Sequence, residues 1–259
     1  MPEVQAVPNV FKHNLRERKK QYGLWLSLDS PMATEIVAGT GYDWLLLDLE
    51  HNCIDLSSVV HHLRAAKGGT AEVMVRLPWN DPVVFKRLLD LGVRSFMVPL
   101  VQSAEEARAA VAATRYPPLG MRGAAGNTRA SNFNRITNYF ENTHENICIV
   151  VQIETLKGVE AIGEIAAVDG IDGLFIGPSD LSASMGLVGK ATLPQVKEMI
   201  TKALGMILKT GKAPGLLNFV PADARAWLQA GFSFIAVGAD GAIVARRSES
   251  LLQEVKSTS

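Results

Sequence analysis

Short apolar runs alternate along the chain with stretches whose apolar positions recur at helical spacing. The runs fall at residues 23–28, 44–47, 73–76, 96–98, 147–153, 173–176, 215–217 and 234–237. Most are apolar at every position rather than at every second one, as expected for parallel strands buried on both faces. Between the runs, Val196, Met199, Ile200, Ala203, Leu204, Ile207 and Leu208 form one full helix stripe. Leu56, Val59, Val60 and Leu63 form a shorter one, and Ala222, Ala226, Trp227 and Ala230 a third. Asp81-Pro82 and Pro221 read as helix starts; Gly39, Gly92, Gly211 and Gly231 read as stops.

Eight strands separated by helices, with no break in composition, predict an α/β fold: one closed (β/α)8 TIM barrel spanning 1–259 as a single domain. An open doubly wound sheet is the alternative, but neither GxGxxG nor GxxxxGK[ST] follows an early strand. Residues 9–21 read as an extra basic helix covering the barrel floor. Residues 116–146 form the one long connection, rich in Gly, Asn and Arg and too long for a plain crossover. It reads as a functional loop or a subunit contact.

Composition changes this picture little. The chain has 259 residues, 47% of them hydrophobic, the usual size of one barrel. Lys+Arg and Asp+Glu balance at 26 each, which gives no pointer to nucleic acid or an anionic membrane. Cys53 and Cys148 are too few for a disulfide framework, and Cys148 within ICIVVQI reads as a buried thiol. The N-terminal segment MPEVQAVPNVFKHN lacks an apolar leader, and no stretch approaches the roughly 20 apolar residues of a membrane span. A soluble, cytoplasmic setting is expected.

In such a barrel the chemistry collects at the C-terminal ends of the strands. Directly after the apolar runs stand Asp48, Glu50 and His51, then Arg76, then Gln152 and Glu154, then Ser179 and Asp180, with Asn218 and Asp240 later. Glu154 and Asp180 come from neighbouring strand ends and could share one divalent cation. Oxygen-only ligation suits magnesium or manganese first, with cobalt or zinc as alternatives. The opposing reading is that each carboxylate caps a helix or pairs with a surface base. Gly177-Pro178-Ser179-Asp180 opens a helix whose free N–H groups suit a substrate carboxylate. Arg76 can hydrogen-bond an oxyanion through its planar fork. His51 is placed for proton transfer, with Asp48 able to orient it. His13, His61, His62 and His144 read as solvated.

Absences narrow the reaction further. No lysine lies inside any of the eight runs, and Lys157 falls at a helix start, so a Schiff base is disfavoured. No GxSxG elbow is present. What remains is carbanion chemistry, with a metal and an arginine to hold an enolate and a base to move a proton.

At these residues the chain resembles the class II pyruvate aldolases of the HpcH/HpaI family over residues 11–252. The motifs are GLWLSL, GYDWLLLDLEH, VRLPWNDP, KRLLDLG, RYPPLGMRG, VVQIET, GPSDLSASMG, GKAPGLL and FIAVGAD. The resemblance implies a lyase that splits 4-hydroxy-2-oxo acids into pyruvate and an aldehyde, with oxaloacetate decarboxylation as a side activity. It implies His51 as base with Asp48 its partner, Arg76 as enolate-stabilising arginine, and Glu154 and Asp180 as metal ligands. Gln152 and Ser179 would bind pyruvate, Leu217 would bear on aldehyde placement, and Asp90 would serve a neighbouring subunit's site. It further implies a homohexamer, a trimer of dimers, with the last helix exchanged. Leu49-Glu50-His51-Asn52 departs from the Gly-Glu-His-Ala of many members. Two alternatives stand: an acyl-CoA lyase of the citrate lyase or malyl-CoA type, its nucleotide groove drawn from Arg122, Arg129 and Arg135, and a non-catalytic assembly or sensor barrel.

Overall fold

The computed structural model describes residues 6–257, so both ends of the expected 1–259 unit lie outside the described residues, as does the start of the segment read for a leader. The expected strands form as β1 (Gln21–Leu26), β2 (Trp44–Asp48), β3 (Glu72–Arg76), β4 (Ser95–Val98), β5 (Cys148–Ile153), β6 (Gly173–Ile176), β7 (Ala213–Leu217) and β8 (Phe234–Ala239). They are parallel, follow one another in sequence order, and close into a barrel where β1 pairs with β8. The first strand ends two residues earlier than its apolar run. The Asp240 carboxylate accepts the Ser27 backbone N–H at 2.7 Å and pulls the chain out of the sheet there.

The helices are α1 (Val10–Arg16), α2 (Pro31–Ala38), α3 (Leu56–Ala65), α4 (Pro82–Leu91), α5 (Ala104–Thr114) and α6 (Tyr139–Asn142). They continue as α7 (Leu156–Glu160), α8 (Ile162–Ala166), α9 (Pro178–Ser184), α10 (Pro194–Thr210), α11 (Pro221–Ala230) and α12 (Asp240–Lys256). Their ends follow the punctuation in the sequence. Asp81 caps α4 by accepting from Val83 N at 2.7 Å, and Gly92 ends it at φ 93°, in the left-handed region glycine adopts freely.

Two cores explain why the strands are apolar at every position. Leu45 and Leu47 point outward to the helices, while Trp44 and Leu46 point into the barrel. The interior core stacks Trp25, Trp44, Phe175 and Phe234 at ring separations of 5.7–6.4 Å. Gly23 makes room for this stack, since a Cβ there would stand 2.1 Å from the Trp44 ring. Phe11 and Leu15 of α1 plug the floor from below. The expected floor helix is therefore present, though shorter than residues 9–21 suggested. Its Lys12 is buried against Asp172, at 3.5 Å, rather than solvated.

One further expectation changes. His61 is exposed, but His62 is fully buried between Thr34 Oγ1 at 2.7 Å and Asp29 Oδ1 at 3.1 Å, tying α2 to α3. Position 62 lies three residues beyond Val59, on the same packed face, so helical spacing puts it inside. The long connection joins α5 to β5, so it lies on the floor, at the opposite end of the barrel from the C-terminal ends of the strands.

Candidate active site at the rim of the barrel

The register of β2 against β3 sets Asp48 directly opposite Arg76, the last residue of each strand. Both side chains are buried, and they meet as a bidentate pair: Arg76 Nε donates to Asp48 Oδ1 at 2.8 Å and Nη2 to Oδ2 at 2.7 Å. Arg76 Nη1 lies 3.0 Å from Glu50 Oε2, and the guanidinium sits over the Trp25 ring at 5.3 Å. N–H groups remain on both terminal nitrogens for an arriving oxyanion. Burial would raise the Asp48 pKa, but the Arg76 hydrogen bonds outweigh it and hold the carboxyl below its ordinary value. Glu50 moves the other way, pushed up chiefly by burial.

Asp48 is the hub of this cluster. It also accepts the Glu50 backbone N–H at 3.1 Å, Asn52 Nδ2 at 2.7 Å and Trp25 Nε1 at 3.4 Å. The expected pairing of Asp48 with the His51 ring is not made. His51 reaches Asp48 only through its backbone N–H, at 3.5 Å, while its ring is 58% exposed with Nε2 3.7 Å from Glu50 Oε2. Asp48 anchors Arg76, and His51 projects over the rim. Asn52 adds one more donor to the anchor.

Glu154 follows β5 and is 2% exposed, with each oxygen gripped by a separate donor. Oε1 accepts Leu100 N at 2.8 Å and Oε2 accepts Gln152 Nε2 at 3.0 Å. Gly177 backs it closely, since a Cβ there would lie 2.5 Å from Oε2. Burial, together with the charges of Asp180 and Glu50, pushes the Glu154 pKa up to about 7. Asp180 stands exposed in the first turn of α9. Gln152 is buried, and its Oε1 has no partner. Among the described residues no three His, Cys, Asp or Glu side chains gather into a ready metal cluster.

The remaining expected residues divide by end of the barrel. Ser179 is exposed beside Asp180, and α9 has only 7 residues, so an anion there would meet the individual N–H groups of Ser179 and Asp180. Leu217 ends β7, half-buried against the interior core. Asp90, one residue from the end of α4, lies at the floor and is held by Arg122 Nη2 at 3.1 Å. It cannot serve this chain's own rim. No lysine enters the rim cluster; Lys157 is exposed in α7.

Two contributors escaped sequence reasoning, because neither is an ionisable side chain. β1 supplies the Trp25 ring beneath Arg76. Beyond β4, Leu100 supplies a backbone N–H. A search for ionisable residues after each apolar run passes over both.

The model of the HpcH/HpaI aldolase/citrate lyase family matches residues 21–246. The chain belongs to this family. Among its relatives is a 4-hydroxy-2-oxo-heptane-1,7-dioate aldolase of Salmonella heidelberg (strain SL476), 46% identical over 94% of this chain and 93% of the relative. A 5-keto-4-deoxy-D-glucarate aldolase of Escherichia coli O6:H1 is 43% identical over 96% of this chain and 97% of the relative. A crystal structure of a family member from Burkholderia cenocepacia J2315 superposes with a TM-score of 0.93 at 38% identity, covering 96% of this chain and 99% of that one. Family members of this aldolase type are carbon–carbon lyases, and the chain is an enzyme of that class. No helix among the described residues is long and apolar enough to cross a membrane.

Proposed function

We propose that the rim cluster is the active site of a divalent-metal-dependent aldolase that reversibly cleaves 4-hydroxy-2-oxo acids to pyruvate and an aldehyde. The observation that carries this reading is the convergence of a clamped Arg76 with spare donors on a buried Glu154 whose pKa is raised to about 7. Like charges crowded at Glu50, Glu154 and Asp180, beside the unpartnered Gln152 Oε1, make a fitting cradle for a hard cation. Glu154 and Asp180 would hold it, leaving the other positions to water and substrate. A divalent cation, magnesium or manganese first, would supply Lewis-acid polarisation of the 2-oxo acid.

The chain's own residues do the rest. Arg76 turns its spare N–H groups to the oxygen on which charge develops. His51 removes the 4-hydroxyl proton, directly or through a water, as the C3–C4 bond breaks. The electron pair of that bond passes into the pyruvate enolate, which is then protonated at C3. Gln152 and the N–H groups around Ser179 orient the pyruvate half, and Leu217 borders the aldehyde. Oxaloacetate decarboxylation passes through the same enolate.

Two features support an oligomer. The 17-residue α12 buries only Asp240 and leaves Ile243, Val244, Leu251, Leu252 and Val255 exposed, an apolar face suited to a neighbouring copy. Asp90, at the floor, could act only in another subunit's site. Both fit the expected hexamer with an exchanged last helix, and the free Cys53 and Cys148 fit a reducing, cytoplasmic setting. The acyl-CoA alternative loses its physical support: Arg122 and its neighbours lie at the far end of the barrel, and Arg122 is itself sealed.

The deciding experiment is chelation. Activity toward 4-hydroxy-2-oxo acids and oxaloacetate should vanish in excess chelator and return with manganese while the fold stays intact. Full activity in a verified metal-free preparation would overturn the reading. Borohydride with pyruvate should leave the protein mass unchanged.

A further inference from the structure

Beyond β4 the chain makes an unusual move. Leu100 stands at φ 52°, a left-handed conformation that side chains with a Cβ rarely adopt. The other non-glycine residues with positive φ, Arg18, Asn132, Phe133, Asn134 and Asn138, sit at the floor. Among the described residues Leu100 alone does so at the catalytic rim. Its side chain is half-buried and belongs to neither core, so packing of that side chain does not account for the conformation.

What the conformation achieves is a direction. The Leu100 N–H points at Glu154 Oε1, 2.8 Å away. The next residues then run along the end of β5: Val101 N donates to Gln152 O at 3.3 Å, and Thr155 Oγ1 donates to Gln102 Oε1 at 3.0 Å. With Gln152 Nε2 on the other oxygen and Gly177 behind, the carboxylate has one orientation. Turning Leu100 to an ordinary φ would swing its N–H away and leave a buried carboxylate oxygen without its donor.

We infer that Leu100 is a positioning residue, whose left-handed backbone aims Glu154 at the cation. This rests on the proposed role of Glu154 as a metal ligand. The inference turns on backbone conformation, so the ranking of substitutions differs from any ranking based on packing.

The test measures manganese affinity of the full-length protein, from the paramagnetic resonance signal of free Mn(II), with thermal melts as a check on folding. Leu100→Gly and Leu100→Asn tolerate the left-handed region and should bind within about threefold of the parent. Leu100→Val, β-branched, should bind roughly tenfold more weakly, with Leu100→Ala between. If the side chain mattered instead, valine would be the mildest change and glycine and asparagine the worst. That order, or equal affinities throughout, overturns the inference. Should the valine variant not fold, the comparison of glycine and asparagine with alanine decides it alone. Glu154→Gln keeps the two levels apart. It should weaken binding strongly; if it binds like the parent, Glu154 is no ligand and both readings fall, whereas a weakened Glu154→Gln with the wrong Leu100 order overturns only the positioning role.

Discussion

The two ends of the barrel each hold a buried arginine against an aspartate and over an aromatic ring, yet they are built for different work. At the rim, Arg76 makes two aligned hydrogen bonds to Asp48 over Trp25. At the floor, Arg122 makes one to Asp90, at 3.1 Å, over Tyr116 at 4.5 Å. Asp48 gathers further donors from Glu50, Asn52 and Trp25, so the rim pair is fixed in plane. The Arg122 side chain is 0% exposed, and its Nε and Nη1 have no partner. The Arg76 side chain keeps 8% exposure, facing a group of carboxylates. A buried guanidinium held by an aspartate thus occurs at both ends of the barrel. What sets Arg76 apart is geometry: two aligned hydrogen bonds fix one side, and the other faces the carboxylates at the rim.

The contrast can be broken or sharpened by mutation. The largest effect is expected at His51, which has no counterpart on the floor. His51→Ala should lower aldol cleavage roughly 10²–10⁴-fold, the usual worth of a positioned base. Oxaloacetate decarboxylation removes no hydroxyl proton, so the same variant should keep most of it. Equal loss of both activities, with metal still bound, would show that His51 is not simply the base.

Arg76→Ala comes next. It should reduce kcat for both reactions by about 10²–10³-fold, because both develop charge on the same oxygen. Steady-state kinetics at saturating manganese, on protein whose fold is confirmed by circular dichroism, would test this. Retention of either reaction would mean Arg76 only shapes the site.

The equivalent change at the floor should act on stability. Arg122→Met leaves Asp90 unpaired, and since Asp90 is partly exposed the cost should be on the order of 2 kcal/mol, below that of breaking a fully buried pair. Denaturant unfolding measures it, with kcat followed alongside because Asp90 is the residue proposed to reach a neighbouring subunit's site. A stable Arg122→Met protein without activity would dissolve the comparison and make the floor part of a neighbouring subunit's catalytic machinery.

The smallest effect belongs to Asn52→Ala. It deletes one of several donors to Asp48 and should cost about 1 kcal/mol or less, with a change in kcat/KM of a few-fold at most. A larger loss would mean that Asn52, rather than the strand register, holds Asp48 in place.

Hydrophobic patterning alone carried the architecture. A strand buried on both faces must be apolar throughout, and an amphipathic helix must repeat its apolar positions every three or four residues. The eight runs and the stripes between them therefore left few ways to bury so much surface. The rim residues were legible for a related reason. A parallel barrel brings the C-terminal ends of its strands to one face, so Asp48, Arg76 and Glu154 could be gathered from sequence before any distance was known.

Partnership was not legible in that way. That Asp48 would grip Arg76 and not the His51 ring depended on the register of β2 against β3, which sets the two residues side by side. The burial of His62 depended on which helix lay against α3. Asp90 read as a site residue, but the direction of α4 carries it to the opposite end. The Trp25 face and the Leu100 N–H left no trace in a search for reactive side chains, because an aromatic ring and a peptide group occur everywhere along a chain. Only folding distinguishes the tryptophan beneath the Arg76 guanidinium and the backbone N–H aimed at Glu154, since each owes its role to neighbours distant in sequence.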